Sequence, residues 1–308
     1  VSGILVGIDI GTQSLKVTVA QEDLRVLGQA SQDYDVRYPK PGWAEQDPGV
    51  WEAALSPATA AALEDAGAVP SDVAAIGISG QLDGCLAVDR RNEPIGPCLI
   101  WLDRRAELPT NREVPAYIRD HCGIVADPSH MGAKISWLKR NGVERAVCFH
   151  QPVSYLVSRL TGRAVMDHAL ASTTMLYGLV SKTWDPELLE VFGTGAGELP
   201  EVANASERAG TLTSVGARLT GLPMGIPVAV GTGDDFATPL GAGIVSPGRL
   251  ACVLGTAEVV GALDAEAKID EAGLLETHAY VGGCHFIENP GWCSGGAIEW
   301  FIRTHRLA

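Results

Sequence analysis

An aspartate closes the first apolar run of this chain. Residues 4–10 read ILVGIDI, and Gly11-Thr12 follow at once. A short apolar run bounded by a glycine turn predicts a buried strand. A carboxylate at the end of such a strand costs several kcal/mol unless something compensates its charge. A divalent cation bound at Asp9 is one such partner; an ordinary Asp turn is the plainer alternative. Gly11 lets a ligand approach the backbone, and the amides and hydroxyls of Thr12 and Ser14 can hydrogen-bond phosphate oxygens. Residues 15–20 (LKVTVA) alternate, and 24–30 (LRVLGQA) follow the polar turn Gln21-Glu22-Asp23. Three antiparallel strands therefore open the fold.

The rest of the chain alternates helices and strands. A helix fits residues 50–66, with Asp47 and Pro48 at its start and Gly67 as a stop. Strands fit 73–79 and 85–89. Residues 130–140 (HMGAKISWLKR) are helical, with Ser129 as the expected N-cap. Pro152 opens and Gly162 closes a helix over 152–161. A strand fits 226–231, a helix 235–242, and a hairpin 249–263 around Gly255-Thr256. Strand-like segments at 278–281 and 284–288 precede a helix starting near Ser294. Strand, Gly-Thr, strand occurs at 4–20 and again at 249–263, which suggests two related half-units facing each other. Their boundary falls in the Gly/Ser/Pro-rich stretch Gly243–Pro247.

Composition excludes some functions. Lys and Arg total 23 against 37 Asp and Glu, a net charge of −14. So acidic a chain argues against nucleic acid as a main partner. It leaves a nucleotide cofactor open, because backbone amides can hold phosphates. Gly221, Pro223, Gly225 and Pro227 break the longest charge-free run, so no membrane span is expected. Seven cysteines, with no C-x-x-C pair and no secretory segment ahead of them, point to reduced thiols and a cytoplasmic protein.

Three more segments carry polar residues where chemistry needs them. In Gly231-Thr232-Gly233-Asp234-Asp235, an apolar strand passes into a small-residue helix. Asp235 is expected to cap that helix and Asp234 to point into a cleft. Leu254-Gly255-Thr256-Ala257 is either a second phosphate-holding turn or a plain hairpin. Gln81 and Asp83, in GQLDG, and Trp101 and Asp103, in WLDRR, combine amide, carboxylates and a flat apolar face, as polyhydroxylated ligands require. Arg104 and Arg105 also fit a surface ion-pair cluster with Asp103. Trp43 fits core or cleft equally. His121, His130 and His150 lack metal-site spacing and read as structural.

In this order the motifs resemble the FGGY family of carbohydrate kinases, most closely its xylulokinase-like members. The matching pieces are GIDIGTQSLK at 7–16, PGWAEQDP at 41–48, GISGQLDG at 77–84, WLDRR at 101–105, GTGDD with its helix at 231–243, and LGT at 254–256. The resemblance implies an α/β, ribonuclease-H-like (actin-like ATPase) fold with two domains around a cleft: a sugar-binding domain over 1–245 and the start of a nucleotide-binding domain over 246–308. It implies ATP and Mg²⁺ as cofactors and a small sugar or polyol as partner, with a homodimer left open. By this resemblance Asp9 would hold the metal, and Gly11, Thr12 and Ser14 would contact the phosphates, with Gly255 and Thr256 serving from the other domain. Asp234 matches the family's general base. Gln81, Asp83, Trp101 and Asp103 match its sugar-binding positions.

Two departures fall in the sugar pocket. Xylulokinases usually read Met-His-Gly where this chain has Leu82-Asp83-Gly84, and Trp-Asn-Asp where it has Trp101-Leu102-Asp103. With Asp83, Asp103 and Gln81 the pocket is expected to offer acceptors in excess and to favour a neutral, hydroxyl-rich ligand. Xylulose heads the acceptors, with polyols and L-ketoses as alternatives. A non-catalytic sugar-binding protein and an actin-like ATPase without an acceptor are the rival classes. Family chains continue past residue 308, so the adenosine-binding segment is expected beyond it, and the inner face of 249–308 is expected to expose apolar surface.

Overall fold

The computed structural model describes residues 3–143, 145–254, 258–291 and 295–305. The opening meander forms as the alternation predicts, over Ile4–Ile10, Ser14–Ala20 and Val26–Asp33. Ile4–Ile10 pairs antiparallel with Ser14–Ala20 and parallel with Val73–Gly80. In spatial order the sheet runs Arg208–Thr211, Pro227–Ala229, Val73–Gly80, Ile4–Ile10, Ser14–Ala20, Val26–Asp33. Thr232–Gly233 adds a short parallel pairing to the end of Val73–Gly80.

Period-two burial fixes the register. Val6, Ile8, Ile10, Leu15, Val17 and Val19 are buried, so a one-residue slip would move a whole apolar set to the wrong face. The helix Pro48–Asp65 packs on this meander through Trp51, Leu55, Ala58 and Ala62. Asp47 caps it by accepting from the Gly49 amide. The helix Pro152–Thr161 has the expected proline start and ends on Gly162 at φ +79°. The helix Met131–Arg140 differs from expectation at its start: His130 is the N-cap residue. Ser129 instead donates its amide to Asp127 and belongs to the preceding turn.

A second sheet follows, wholly antiparallel, in the order Leu250–Leu254, Glu258–Asp264, His285–Gly291, Glu276–Ala279. The expected hairpin pairing is present, while its turn at Gly255-Thr256 lies outside the described residues. Phe236, Tyr280 and Phe286 build a small second core that ties the helix Asp234–Gly241 to this sheet. The strand Glu276–Ala279 docks on the first unit by hydrogen bonds. Thr277 donates its amide to the Gly123 carbonyl (2.8 Å), Ala279 to Ser172 Oγ (3.1 Å), and Val125 donates to Glu276 Oε1 (3.1 Å). The last helix, Gly295–His305, leaves Ile298, Trp300 and Phe301 exposed; the expected start at Ser294 falls outside the described residues. Among the described residues no helix is long and apolar enough to cross a membrane.

Candidate active site

Three parallel strands end side by side. In register, Asp9 stands beside Ser79, and Ser79 beside Thr232. The carboxyl ends of parallel strands in an open α/β sheet form a natural ligand crevice. Asp234 follows directly, as the first residue of the helix Asp234–Gly241. Close packing brings these ends together: a Cβ on Gly231, which has φ +76°, would meet the Ile78 carbonyl oxygen at 2.3 Å.

At Asp9, Oδ1 accepts from Ser79 Oγ at 3.0 Å. A Cβ on Gly11 would lie 3.9 Å from the other oxygen, Oδ2, so the missing side chain leaves room beside it. Asp234 is near enough to Asp9 to feel its charge. Burial first, and then Asp9, push the Asp234 carboxyl up to about 7. Two neighbouring carboxylates and an open cradle fit a hard divalent cation, which binds through one or two carboxylates with water and phosphate completing its shell. Among the described residues no group of three or more His, Cys, Asp or Glu side chains forms a closed metal cage. Lys16, paired in register with Asp9, is the nearby cation that opposes the rise at Asp234.

The turn after Asp9 is clamped from several segments. Tyr34 donates its hydroxyl to the Gly11 carbonyl (2.7 Å), and Gln46 Nε2 donates to the Thr12 carbonyl (2.7 Å). Trp101 Nε1 donates to Thr12 Oγ1 (2.9 Å). Gln81 Nε2 donates to Gln46 Oε1 (2.7 Å) and approaches the Gly11 carbonyl (3.4 Å). Ser14 closes the turn, its carbonyl accepting from the Gly11 amide at 3.0 Å. The structure therefore brings Asp9, Gly11, Thr12, Ser14, Gln81, Trp101 and Asp234 into one neighbourhood. Gly255 and Thr256 lie outside the described residues.

Asp83 borders the same region. It lies close enough to Asp235 to help raise that carboxyl, together with burial, Asp234 and Glu288. Its own backbone is left-handed, at φ +57°. Gln151 Oε1 accepts its amide (2.9 Å), and Lys134 Nζ donates to its carbonyl (2.7 Å). The same ammonium donates to the Ile100 carbonyl at 2.8 Å, so one buried lysine joins the two loops expected to hold the sugar. Burial pulls Lys134 below its ordinary pKa. Asp83 Oδ1 meets His130 Nδ1 at 3.2 Å. Leu82 lies against Gly233, at 3.1 Å from where a Cβ there would sit.

Two expectations need correcting. Asp103, expected among the sugar contacts, is fully buried, with its carboxylate committed to partners inside the protein. Its carboxylate accepts from the Ala44 amide (2.7 Å) and, over two oxygens, from Arg105 Nε (2.9 Å each) and Nη2 (2.6 Å). Arg105 also holds Glu45 (2.8 Å) and lies 3.6 Å from the ring of Trp43, which meets Trp137 edge-on. Arg105 is thus interior, and Trp43 packs in this cluster. Asp235 does not cap its helix. Gly233 is the N-cap residue, with no side-chain cap bond, and Asp235 donates its amide to Asp234 Oδ1 at 3.1 Å.

Sequence reasoning took His130 as structural, without its partner, and did not single out Lys134. For Lys134 a signal existed: Met131, Lys134, Ile135 and Leu138 share one helical stripe, and all four are buried. A lysine in an apolar stripe marks a buried carbonyl-binding site. His130 carried no such mark, because its partner lies 47 residues away.

Comparison with known proteins bears on this geometry. The N-terminal domain of the FGGY family of carbohydrate kinases matches residues 4–241. The chain belongs to that family. A glycerol kinase from Thermococcus onnurineus is 32 % identical to the FGGY chain over 310 residues, covering 96 % of it and 62 % of the relative. The FGGY chain thus spans about three-fifths of the length of the curated relatives it matches. A xylulose kinase structure from Rhodospirillum rubrum superposes with a TM-score of 0.88 at 26 % identity, covering 98 % of this chain and 63 % of that one. A gluconate kinase structure from Lactobacillus acidophilus, at 21 % identity, 96 % and 61 % coverage and a TM-score of 0.88, shares the fold. The architecture is the actin-like ATPase fold of this family.

Proposed function

We propose that the protein transfers the γ-phosphoryl group of ATP to a terminal hydroxyl of a small sugar or polyol. The observation that carries this is Asp234: a carboxylate at the head of a helix, beside Asp9 and the clamped turn, with its pKa raised to about 7. A base with a pKa near the working pH is suited to taking a hydroxyl proton. Asp234 would accept that proton as the hydroxyl oxygen bonds to the γ-phosphorus. The phosphorus–oxygen bond to ADP breaks, and ADP leaves with the electron pair. Asp9 would hold Mg²⁺, which supplies charge neutralisation on the phosphates. Gly11, Thr12 and Ser14 would line the phosphates, with Gly255 and Thr256 proposed opposite them. Positioning and electrostatics carry most of the rate in phosphoryl transfer.

Gln81, Asp83 and Trp101 are proposed as the sugar contacts, while Asp103 is held by Arg105 and the Ala44 amide. A pentulose such as xylulose is the leading acceptor. Relatives named glycerol kinase favour a polyol as the second reading. The six cysteines among the described residues are free, which supports the proposed cytoplasmic setting.

ADP release by the full-length protein, with and without pentuloses, hexuloses and polyols, tests the proposal. Sugar-dependent release is expected. Release independent of any acceptor would make the protein an ATPase, and none at all would leave a binding protein.

A further inference from the structure

We propose that His278 is a positioning residue for the phosphoryl transfer assigned above: set between Glu276 and Glu288, it seats the second sheet against the helix head that presents Asp234. The inference rests on the reading of Asp234 as the base and adds a residue that acts on it through packing.

Strand pairing sets two acids against each other. Glu276 stands directly opposite Glu288 in the antiparallel register, and His278 opposite Phe286. Alternation puts all four on one face of the sheet. Like charges directly opposite each other destabilise a strand pair. Here both acids are buried, where salt and water screen them little. His278 Nε2 lies 3.2 Å from Glu288 Oε1 and 3.6 Å from Glu276 Oε2. Among the described residues, Glu288 Oε2 and His278 Nδ1 are sealed from solvent without a hydrogen-bond partner, so the two residues meet through their other atoms. Glu276 has a further hold, accepting from the Val125 amide at 3.1 Å.

The imidazole is the cation of this face. Burial opposes charging the ring, but Glu276 and Glu288 outweigh it and lift His278 to about 10. Glu276 in turn lies below its ordinary value despite burial, held there by His278 and by the charge of His130. Asp235 faces the group from the helix. After burial and Asp234, Glu288 helps to raise its carboxyl, and His278 opposes that rise.

The same ring touches the helix. Phe236, the third residue of Asp234–Gly241, meets His278 edge-on with 5.4 Å between ring centroids, and Phe286 at 6.3 Å. Tyr280 donates its hydroxyl to the Ile244 carbonyl at 3.1 Å and approaches the Phe236 carbonyl at 3.3 Å. The helix head thus sits on the two strands whose acids His278 holds together. Without the imidazolium, Glu276 and Glu288 repel across the pair, the seat of Phe236 shifts, and Asp234 moves with it. A misplacement of about 1 Å at a reacting group can cost roughly a hundredfold in rate. The proposed sugar contacts are held from the first unit instead, Gln81 by Gln46, and Asp83 by Gln151 and Lys134.

Steady-state kinetics and calorimetry on the full-length protein, with D-xylulose and glycerol as acceptors, test this. His278→Gln should lower kcat by roughly tenfold to a hundredfold while the acceptor Kd stays within about twofold. Adding Glu288→Gln to that variant returns the cluster to its wild-type net charge and should restore most of kcat. A merely structural role would make the second substitution add to the first. Histidine nitrogen NMR of the wild type, assigned by the signal absent from the double variant, should show His278 as an imidazolium at about pH 8, where an ordinary histidine is neutral. An unchanged kcat in His278→Gln, a double variant that recovers neither turnover nor fold, or a neutral ring in the wild type overturns the assignment and leaves the kinase proposal intact. A wild type without acceptor-dependent turnover overturns both.

Discussion

Two groups of carboxylates lie within the first unit and differ in one respect. Around Arg105, the carboxylates of Asp103 and Glu45 are enclosed, and Asp103 accepts from the Ala44 amide and twice from the guanidinium. Around the strand ends, Asp9, Asp83, Asp234 and Asp235 stand with few donors, and the last two bind protons more tightly than ordinary carboxylates. The first arrangement resembles a finished interior. The second is an interior left short of positive charge. Burial alone therefore does not mark a functional acid; burial with unmet valence does.

Breaking that contrast should have its largest effect at Asp234. Asp234→Asn in the full-length protein should lower turnover by ~10²–10⁴-fold and leave sugar binding nearly intact. Turnover at the wild-type level would remove Asp234 from the mechanism. The same residue has a pH signature. The folded state holds its proton up to about pH 7, the unfolded chain only to about 3.8. The folded state binds more protons in that window, so this group's contribution to stability falls as pH rises from about 4 to 7. Thermal melts of wild type and Asp234→Asn across that range should show a shallower decline in the variant. Turnover should rise through the upper half of the same window.

At the enclosed cluster the effect should appear in stability instead. Asp103→Asn should cost ~3–5 kcal/mol, the usual penalty for breaking a buried ion pair, because Arg105 keeps its charge and loses a bidentate partner. Urea denaturation measures this. A loss of sugar affinity in a variant of unchanged stability would return Asp103 to the pocket.

Lys134→Met sits between the two cases. It removes the donor of two buried carbonyls and also the cost of burying an ammonium, so a net loss of roughly 1–3 kcal/mol is expected. Sugar affinity should fall with it, since the loops of Asp83 and Ile100 lose their common anchor. Smallest of all, Trp101→Phe keeps the apolar face and removes one hydrogen bond to Thr12, worth about 0.5–1.5 kcal/mol. Isothermal titration with a nucleotide should detect that loss without any change in fold.

Much of the frame was legible in residue order. The meander needed only alternation, and Pro152 and Gly162 bracketed their helix. The stretch 163–225 was not legible, because its strands are two to four residues long and carry no period to read. Its caps, Asp167, Asp185 and Thr213, were the available signal. The site was legible where an acid breaks an apolar run, at Asp9 and Asp234. It was harder to read where a charged side chain has a partner two residues on, as at Asp103, whose carboxylate Arg105 holds. Asp235 resembled a cap because composition does not say which of two adjacent acids faces the helix amides.

The Thr12 hydroxyl and the Trp101 indole share one hydrogen bond, and Gln81 reaches the Gly11 carbonyl from the other sugar loop. Any ligand that tightens these bonds from one side changes the free energy of the other side. Such coupling is symmetric by thermodynamic necessity. If the acceptor strengthens nucleotide binding by some factor, nucleotide must strengthen acceptor binding by the same factor. The order in which the two arrive would then be a matter of concentration, with neither site built to wait for the other.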